Sequence, residues 1–172
     1  MAIQCECGGE YRPARLASYD FTAIAGLPSE LRNVRGLQCS KCGDVTLEGR
    51  VINAALNVLT LKLVRQSARL APDQSRFLRK RQGLSQQALA DRMGIDRVTV
   101  ARWESSGEIS LQHDLILRGM ALAHCAKRAK QVNAFALVEA LSSVHRTAAP
   151  THAAPIVVDH RRSKHSEAPA SL

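Results

Sequence analysis

Ser85-Gln86-Gln87-Ala88-Leu89-Ala90-Asp91-Arg92-Met93-Gly94-Ile95-Asp96-Arg97-Val98-Thr99-Val100-Ala101-Arg102-Trp103-Glu104 is the stretch whose reading decides the fold of this chain. Ser85 is a good N-cap for a short helix, because its hydroxyl can accept from an N–H that the helix leaves unpaired. Leu89 and Met93 supply the inward face of that helix. Gly94 falls where the chain turns sharply and needs a residue that tolerates positive φ. Asp96 then opens a second helix, with Val100 and Trp103 as its buried stripe, and Ala90 is small where the two helices must cross closely. In this order and spacing the pieces specify a helix-turn-helix.

That motif assigns roles by geometry. Its second helix lies in the DNA major groove with its N-terminal residues at the base edges. Arg97, Val98, Thr99 and Arg102 project away from Val100 and Trp103 and are the expected base contacts. Arg102 leads them, since a guanidinium can grip guanine O6 and N7 together, whereas Val98 offers only apolar contact, as to a thymine methyl. Gln86 and Gln87, at the start of the first helix, are expected to hold phosphate, with Arg76 and Lys80 as further phosphate contacts. Trp103 reads as core rather than as a stacking platform, and Glu104 as a residue that fixes the following turn.

Outward from the motif, composition divides the chain into four stretches. Residues 1–50 hold four of the five cysteines and six of the ten glycines, with few apolar runs, too little core to fold without a staple. Residues 51–71 read as a connecting helix and linker, with Val51, Ala55, Val58, Leu59 and Leu63 at three- and four-residue spacing. Residues 72–145 form the helical region, opened by Pro72-Asp73 and closed by a helix over about 127–145. Residues 146–172, rich in Ala, Pro, His, Ser and Arg, read as a disordered tail.

Cys39-Ser-Lys-Cys42-Gly43 is a zinc knuckle, two thiolates three positions apart followed by Gly, where N–H groups can point at sulfur. Cys5-Glu-Cys7-Gly8-Gly9 is the second pair. Cys5, Cys7, Cys39 and Cys42 together give a closed tetrahedral site for one structural Zn2+. Cys125, among Ala and Leu, reads as a buried thiol.

The 172 residues carry 24 Lys and Arg against 15 Asp and Glu, a formal charge of +9 with pI near 9.9. That excess suits a polyanion partner, because neutralised phosphates release counterions. In residues 1–50 six basic residues meet six acidic ones, which permits a partner protein there without demanding one. The segment before Cys5 does not read as a secretory signal, and no apolar run approaches the ~20 residues that span a bilayer. A cytoplasmic protein is expected, in which thiols serve as ligands rather than disulfides. An enzyme is not expected: no His precedes His113, and thiolates committed to zinc are poor nucleophiles. Oxidation of exposed zinc thiolates is a further, weaker reading.

The run Gly83-Leu-Ser-Gln-Gln-Ala-Leu-Ala90 followed by Gly94-Ile-Asp-Arg-Val-Thr-Val-Ala-Arg-Trp-Glu104 resembles the XRE (lambda/434 repressor) family. The resemblance implies a preceding helix over Gln74–Gln82, with Phe77 and Leu78 inward, and a following one from about Leu111 to Ala123. The whole order, from the Cys–Gly-Gly segment through Leu31-Arg-Asn-Val-Arg-Gly-Leu-Gln-Cys39-Ser-Lys-Cys42-Gly-Asp44 and a connecting helix to that motif, resembles the MqsA-type antitoxins with their YgiT-type zinc finger. It spans about residues 3–124. The fold class implied is mainly α, a five-helix lambda-repressor-like domain preceded by a small α+β zinc-binding domain. The resemblance further implies a repressor of its own operon, a homodimer, a palindromic double-stranded DNA operator and a ribonuclease toxin as partner. A stand-alone zinc-stabilised regulator is the alternative. Three departures stand out: Gln4 occupies the place where the family's first Cys-x-x-Cys pair wants Cys, Val98 stands where better-known members carry a polar base reader, and the chain extends past Ala123 into the further helix over about 127–145.

Overall fold

The computed structural model describes residues 4–129 and 155–160. A hairpin opens the fold. Strand β1 (Tyr11–Asp20) pairs antiparallel with β2 (Ser29–Cys39), from Tyr11 opposite Cys39 to Asp20 opposite Glu30. The connection is a single helical turn, α1 (Thr22–Ala25), ended by Gly26 at φ 73° and pinned by the fully buried Phe21. Asn33, at φ 53°, shifts the alternation of β2 by one residue. Before it Leu27, Ser29 and Leu31 are buried, and after it Val34 and Gly36. Because successive strand residues face opposite sides, one left-handed residue lets both runs meet the same core.

Two short strands share the other edge of β2. Strand β3 (Val45–Thr46) is antiparallel, with Thr46 opposite Leu37. Strand β4 (Ile156–Asp159) is parallel, with Ile156 opposite Ser29. The sequence reading placed 156–159 in a disordered tail; instead these residues complete the sheet. Val157 and Val158 are β-branched residues suited to a strand. Val158 is buried, and Lys62 donates to the carbonyl of Val157. The remainder of 146–172 and the helix expected over 127–145, beyond Ala129, lie outside the described residues.

Helix α2 (Gly49–Arg65) starts two residues earlier than the sequence suggests. Ala55, Leu59, Leu63 and Val64 form its buried side. Leu59 and Leu63, both fully buried, belong to one apolar cluster that runs from Phe21, Leu31 and Val34 to Leu78, Val100 and Leu117. The cysteine-bearing half therefore does not stand alone with a small core of its own. It shares a core with the helical half through α2, where each buried Leu contributes about 1.5–3 kcal/mol.

The helical half is α3 (Pro72–Arg81), α4 (Gln86–Met93), α5 (Arg97–Trp103) and α6 (Leu111–Ala129). Pro72 at the first position of α3 suits a helix start. Ala71 before it has no side-chain acceptor, so the start is completed from within, Gln74 Oε1 accepting the Ala71 N–H at 3.0 Å. Phe77 and Leu78 point inward as expected, and Cys125 is buried.

One ion pair binds the two halves. Asp114 and Arg118, one turn apart on α6, have fully buried side chains joined at 2.6 Å. The Arg118 guanidinium also donates to the carbonyls of Leu63, Val64, Gln66 and Ala68 at 2.7–3.2 Å. These are the end of α2 and the residues just after it, where helical carbonyls have no partner of their own.

Candidate nucleic-acid interface and metal centre

The turn between α4 and α5 is built as its residues require. Ser85 Oγ accepts the Ala88 N–H at 3.0 Å, and Gly94 takes φ 66° while its N–H bonds back to α4. Leu89, Ala90, Val100 and Trp103 are buried between the helices. Asp96 stands at the start of α5 but its side chain makes no capping hydrogen bond. The outer side of α5 presents Arg97, Val98 and Arg102 to solvent, with Thr99 half-buried. Val98 is 70% exposed, an apolar side chain with no core to join. The Arg102 stem lies against Gly107, where a Cβ would come within 2.8 Å of it.

The residues expected to touch phosphate are placed differently from one another. Lys80 is exposed on α3. Arg76 is tied to Glu104, donating to its carbonyl and lying 3.9 Å from its carboxylate. Gln87 donates to Asp91 within its own helix at 2.7 Å. Gln86 donates to the Glu104 carboxylate at 3.0 Å and accepts from Arg97 at 3.2 Å.

Glu104 is the centre of this arrangement, which sequence reasoning saw only as a turn residue. Its side chain is almost wholly buried and is gripped by Arg79 through two hydrogen bonds, at 2.5 and 2.8 Å. Arg79 also donates to the carbonyl of Leu84 at 2.7 Å. Burial alone would raise the Glu104 carboxyl, but the Arg79 and Gln86 donors hold it below its ordinary value. The signal was available: Arg79 directly follows the two inward residues of α3, and Glu104 directly follows the buried Trp103. The Asp114–Arg118 pair carried a similar signal, opposite charges at i, i+4 flanking Leu115-Ile116-Leu117.

The structure brings Cys5, Cys7, Cys39 and Cys42 together, with all four sulfurs within 4.8 Å of one another. Cys5 and Cys42 are 3.7 Å apart, and Cys7 and Cys39 3.5 Å. A tetrahedral ion with metal–sulfur bonds of ~2.3 Å needs sulfur–sulfur edges of ~3.8 Å, so the four thiols fit one metal ion. A tight turn closes the first pair: Cys5 N–H bonds to the Gly9 carbonyl at 2.8 Å and Gly8 N–H to that of Cys5 at 2.9 Å. Gly8 sits at φ 78°, and a Cβ on Gly9 would lie 2.6 Å from Cys39 Sγ. The Gly-Gly that follows Cys5-x-Cys7 is thus what lets this short spacing reach the second pair.

N–H groups of Cys42 and Lys41 point at Cys39 Sγ and lower that thiol to about 6. For Cys7 the Gly9 N–H works the same way, but the neighbouring thiols of Cys42 and Cys39 and the thiol's burial win and push it up to about 12. Four crowded sulfurs cannot all ionise without a cation among them. Lys41 ties the two pairs by donating to the Cys7 carbonyl at 3.1 Å. Tyr11 donates to Asp44 at 2.5 Å, and Asp44 accepts the Cys39 N–H, linking the knuckle to the first strand.

Residues 76–113 match the model of the family described as Helix-turn-helix. This segment, from within α3 to the start of α6, is a DNA-binding helix-turn-helix of the XRE regulator type. Among curated proteins and among solved structures nothing matches the chain. No helix among the described residues is long and apolar enough to cross a membrane.

Proposed function

We propose that this chain is a transcriptional repressor that reads a palindromic operator as a homodimer through α5 and is stapled at its N-terminal end by one structural Zn2+. The observation that carries the reading is α5 itself. Its inner residues are buried against α4, and its outer side offers Arg97, Val98 and Arg102 without any core to occupy them. A four-sulfur donor set suits zinc, whose thiolate sites are closed and tetrahedral. With every position taken by sulfur, the ion supplies folding energy rather than a bound water.

The order of modules, a cysteine-stapled sheet in front of a helix-turn-helix, supports an antitoxin of a type II toxin–antitoxin system. In that role the sheet end holds a ribonuclease toxin while α5 autoregulates the operon. The continuous core favours the alternative equally, a stand-alone zinc-stabilised regulator whose sheet is an integral part of the DNA-binding body. Co-purification of the product of the neighbouring gene separates the two.

Replacing Arg102 by Ala tests the DNA reading. A bidentate guanine contact is worth ~1–3 kcal/mol, so binding to the selected operator falls by that much and preference relaxes at one base pair. Unchanged affinity would refute this placement of α5.

A further inference from the structure

We infer that the cleft between α2, β2 and β4 is a binding site for a small amphipathic anion, an apolar chain or ring system that carries a carboxylate, independent of operator binding.

Helix α2 has a wider apolar face than its packing requires. Ala55, Leu59 and Leu63 belong to its buried side. Beside them Val51, Ala54, Val58 and Leu61 recur at three- and four-residue spacing and stay half-buried or exposed. A helix that only covers a sheet turns polar at that flank. Here the second stripe forms one wall of a cleft of about 940 Å³, with Val34 of β2 and Val157 of β4 opposite. That size lies within the roughly 300–1,000 Å³ of clefts that hold small molecules, which are likewise mostly apolar with a few placed polar groups.

The charged groups of this cleft define what it would hold. Lys62 and Arg65 stand in the last turn of α2, and both line it. Cations at that position ordinarily serve the helix C-terminus, but the carbonyls of Leu63, Val64 and Gln66 are already taken by Arg118. Lys62 instead donates to the Val157 carbonyl on β4. Arg65 is exposed and makes no hydrogen bond or ion pair among the described residues. The acid on this lining, Asp159, accepts from Asn33 at 3.3 Å and attracts Arg32. A carboxylate suits the planar fork of Arg65, whose paired donors match its two oxygens. The apolar body of such a ligand would lie along Val58 and Val51. A cationic amphiphile would meet like charge at the same place.

A second group of arginines provides the control. Arg15 and Arg35, opposite each other across β1 and β2, line an adjoining cleft with Arg50 at the other end of α2. Arg50 and Arg65 are about 22 Å apart along a helix that rises 1.5 Å per residue. That exceeds the ~8 Å over which charges act at physiological salt.

Decanoate, decanol and decyltrimethylammonium are the probes, each titrated below its micelle-forming concentration into the full-length zinc-loaded protein at physiological ionic strength. Binding is read by calorimetry and by the rise in melting temperature that a ligand of the folded state produces. Decanoate is expected to bind once per chain and about tenfold tighter than decanol, with the cationic probe weakest. Arg65→Gln should weaken decanoate several-fold and leave decanol unchanged, whereas Arg35→Gln should change neither. Val58→Trp, which fills the cleft, should abolish binding of both, with circular dichroism checking its fold. Arg65→Gln, at an exposed position, keeps the test decisive if Val58→Trp does not fold. No binding by the parent, equal affinity for decanoate and decanol, or several ligands per chain would overturn the site. Equal losses in Arg65→Gln and Arg35→Gln would do so too, since they mark a general field. So would decanoate binding that appears only when residues 130–154 are replaced by a Gly-Ser chain of equal length, because the protein's own segment would then be the occupant.

Discussion

Replacing Arg118 by Ala is the sharpest test of how the two halves of this molecule are joined. The side chain is fully buried, its guanidinium gripping Asp114 at 2.6 and 3.1 Å. Removing it leaves the Asp114 carboxylate buried with the Leu70 N–H, at 3.3 Å, as its donor among the described residues. Breaking a buried ion pair on one side costs about 3–5 kcal/mol, because the surviving charge is left uncompensated. Four carbonyls at and beyond the end of α2 lose a donor as well. Each orphaned buried group costs about 1–3 kcal/mol, although water entering the gap offsets part of this. The total approaches the 5–15 kcal/mol by which a domain is usually stable. Urea unfolding followed by circular dichroism and by Trp103 fluorescence should show a midpoint lowered by at least 3 kcal/mol in ΔG. Both probes should report a single transition, since the core is continuous. The pair replaced on both sides, Asp114→Asn with Arg118→Met, should recover a good part of the loss, because no lone charge remains. A loss below about 1 kcal/mol for Arg118→Ala, or a double variant worse than the single one, would refute this reasoning.

Four further outcomes follow from the geometry. The purified protein should contain one equivalent of zinc by elemental analysis, and Cys42→Ser or a strong chelator should lower its melting temperature by several degrees. Gly94→Ala places a Cβ in open space but forces an L-residue to φ 66°, and should cost about 1 kcal/mol. Gly9→Ala should instead diminish zinc affinity in a metal-competition titration, since its Cβ would collide with Cys39 Sγ. Glu104 titrates below its ordinary value of 4.5 in the folded protein. The stability it contributes is complete above that value and is lost as pH falls through the lower folded one. Acid unfolding should therefore begin below about pH 4.5, and Glu104→Gln should be less stable at pH 7 with a shallower acid limb.

The helix-turn-helix was legible because its signals are local. A cap at Ser85, a left-handed Gly94 and a stripe at Leu89, Val100 and Trp103 each act within a few residues, and hydrophobic spacing alone marks the buried side. The cysteine cluster was legible because thiols in a small, weakly cored segment have few other uses. What sequence could not supply was contact across long separations. Strand β4 meets β2 more than a hundred residues away, and nothing local in Ile156–Asp159 distinguishes four β-branched and acidic residues in a Pro- and Ala-rich stretch from a tail. Asp114 and Arg118 show in the sequence only opposite charges one turn apart beside apolar residues, and the carbonyls that Arg118 serves lie at the end of α2 and just after it, about fifty residues away.

These long-range contacts change what the cysteine cluster does for the DNA-binding half. Had the sheet been a separate module, loss of the metal would unfold residues 4–48 and leave α5 untouched. Instead Phe21, Leu31 and Val34 pack into the same cluster as Leu59, Leu63 and Leu78, and Arg118 holds the end of α2 from within α6. Loosening the sheet therefore exposes one side of α2, and α2 is in turn part of the wall against which α3 and α6 pack. The effect on α5 is attenuated at each step, since the α4–α5 turn has its own buried contacts and the Arg79–Glu104 pair. Metal removal should thus lower global stability by more than it lowers affinity for DNA at temperatures where the fold survives. That inequality is a property of one shared core with a locally reinforced reading head, and two independent domains would not produce it.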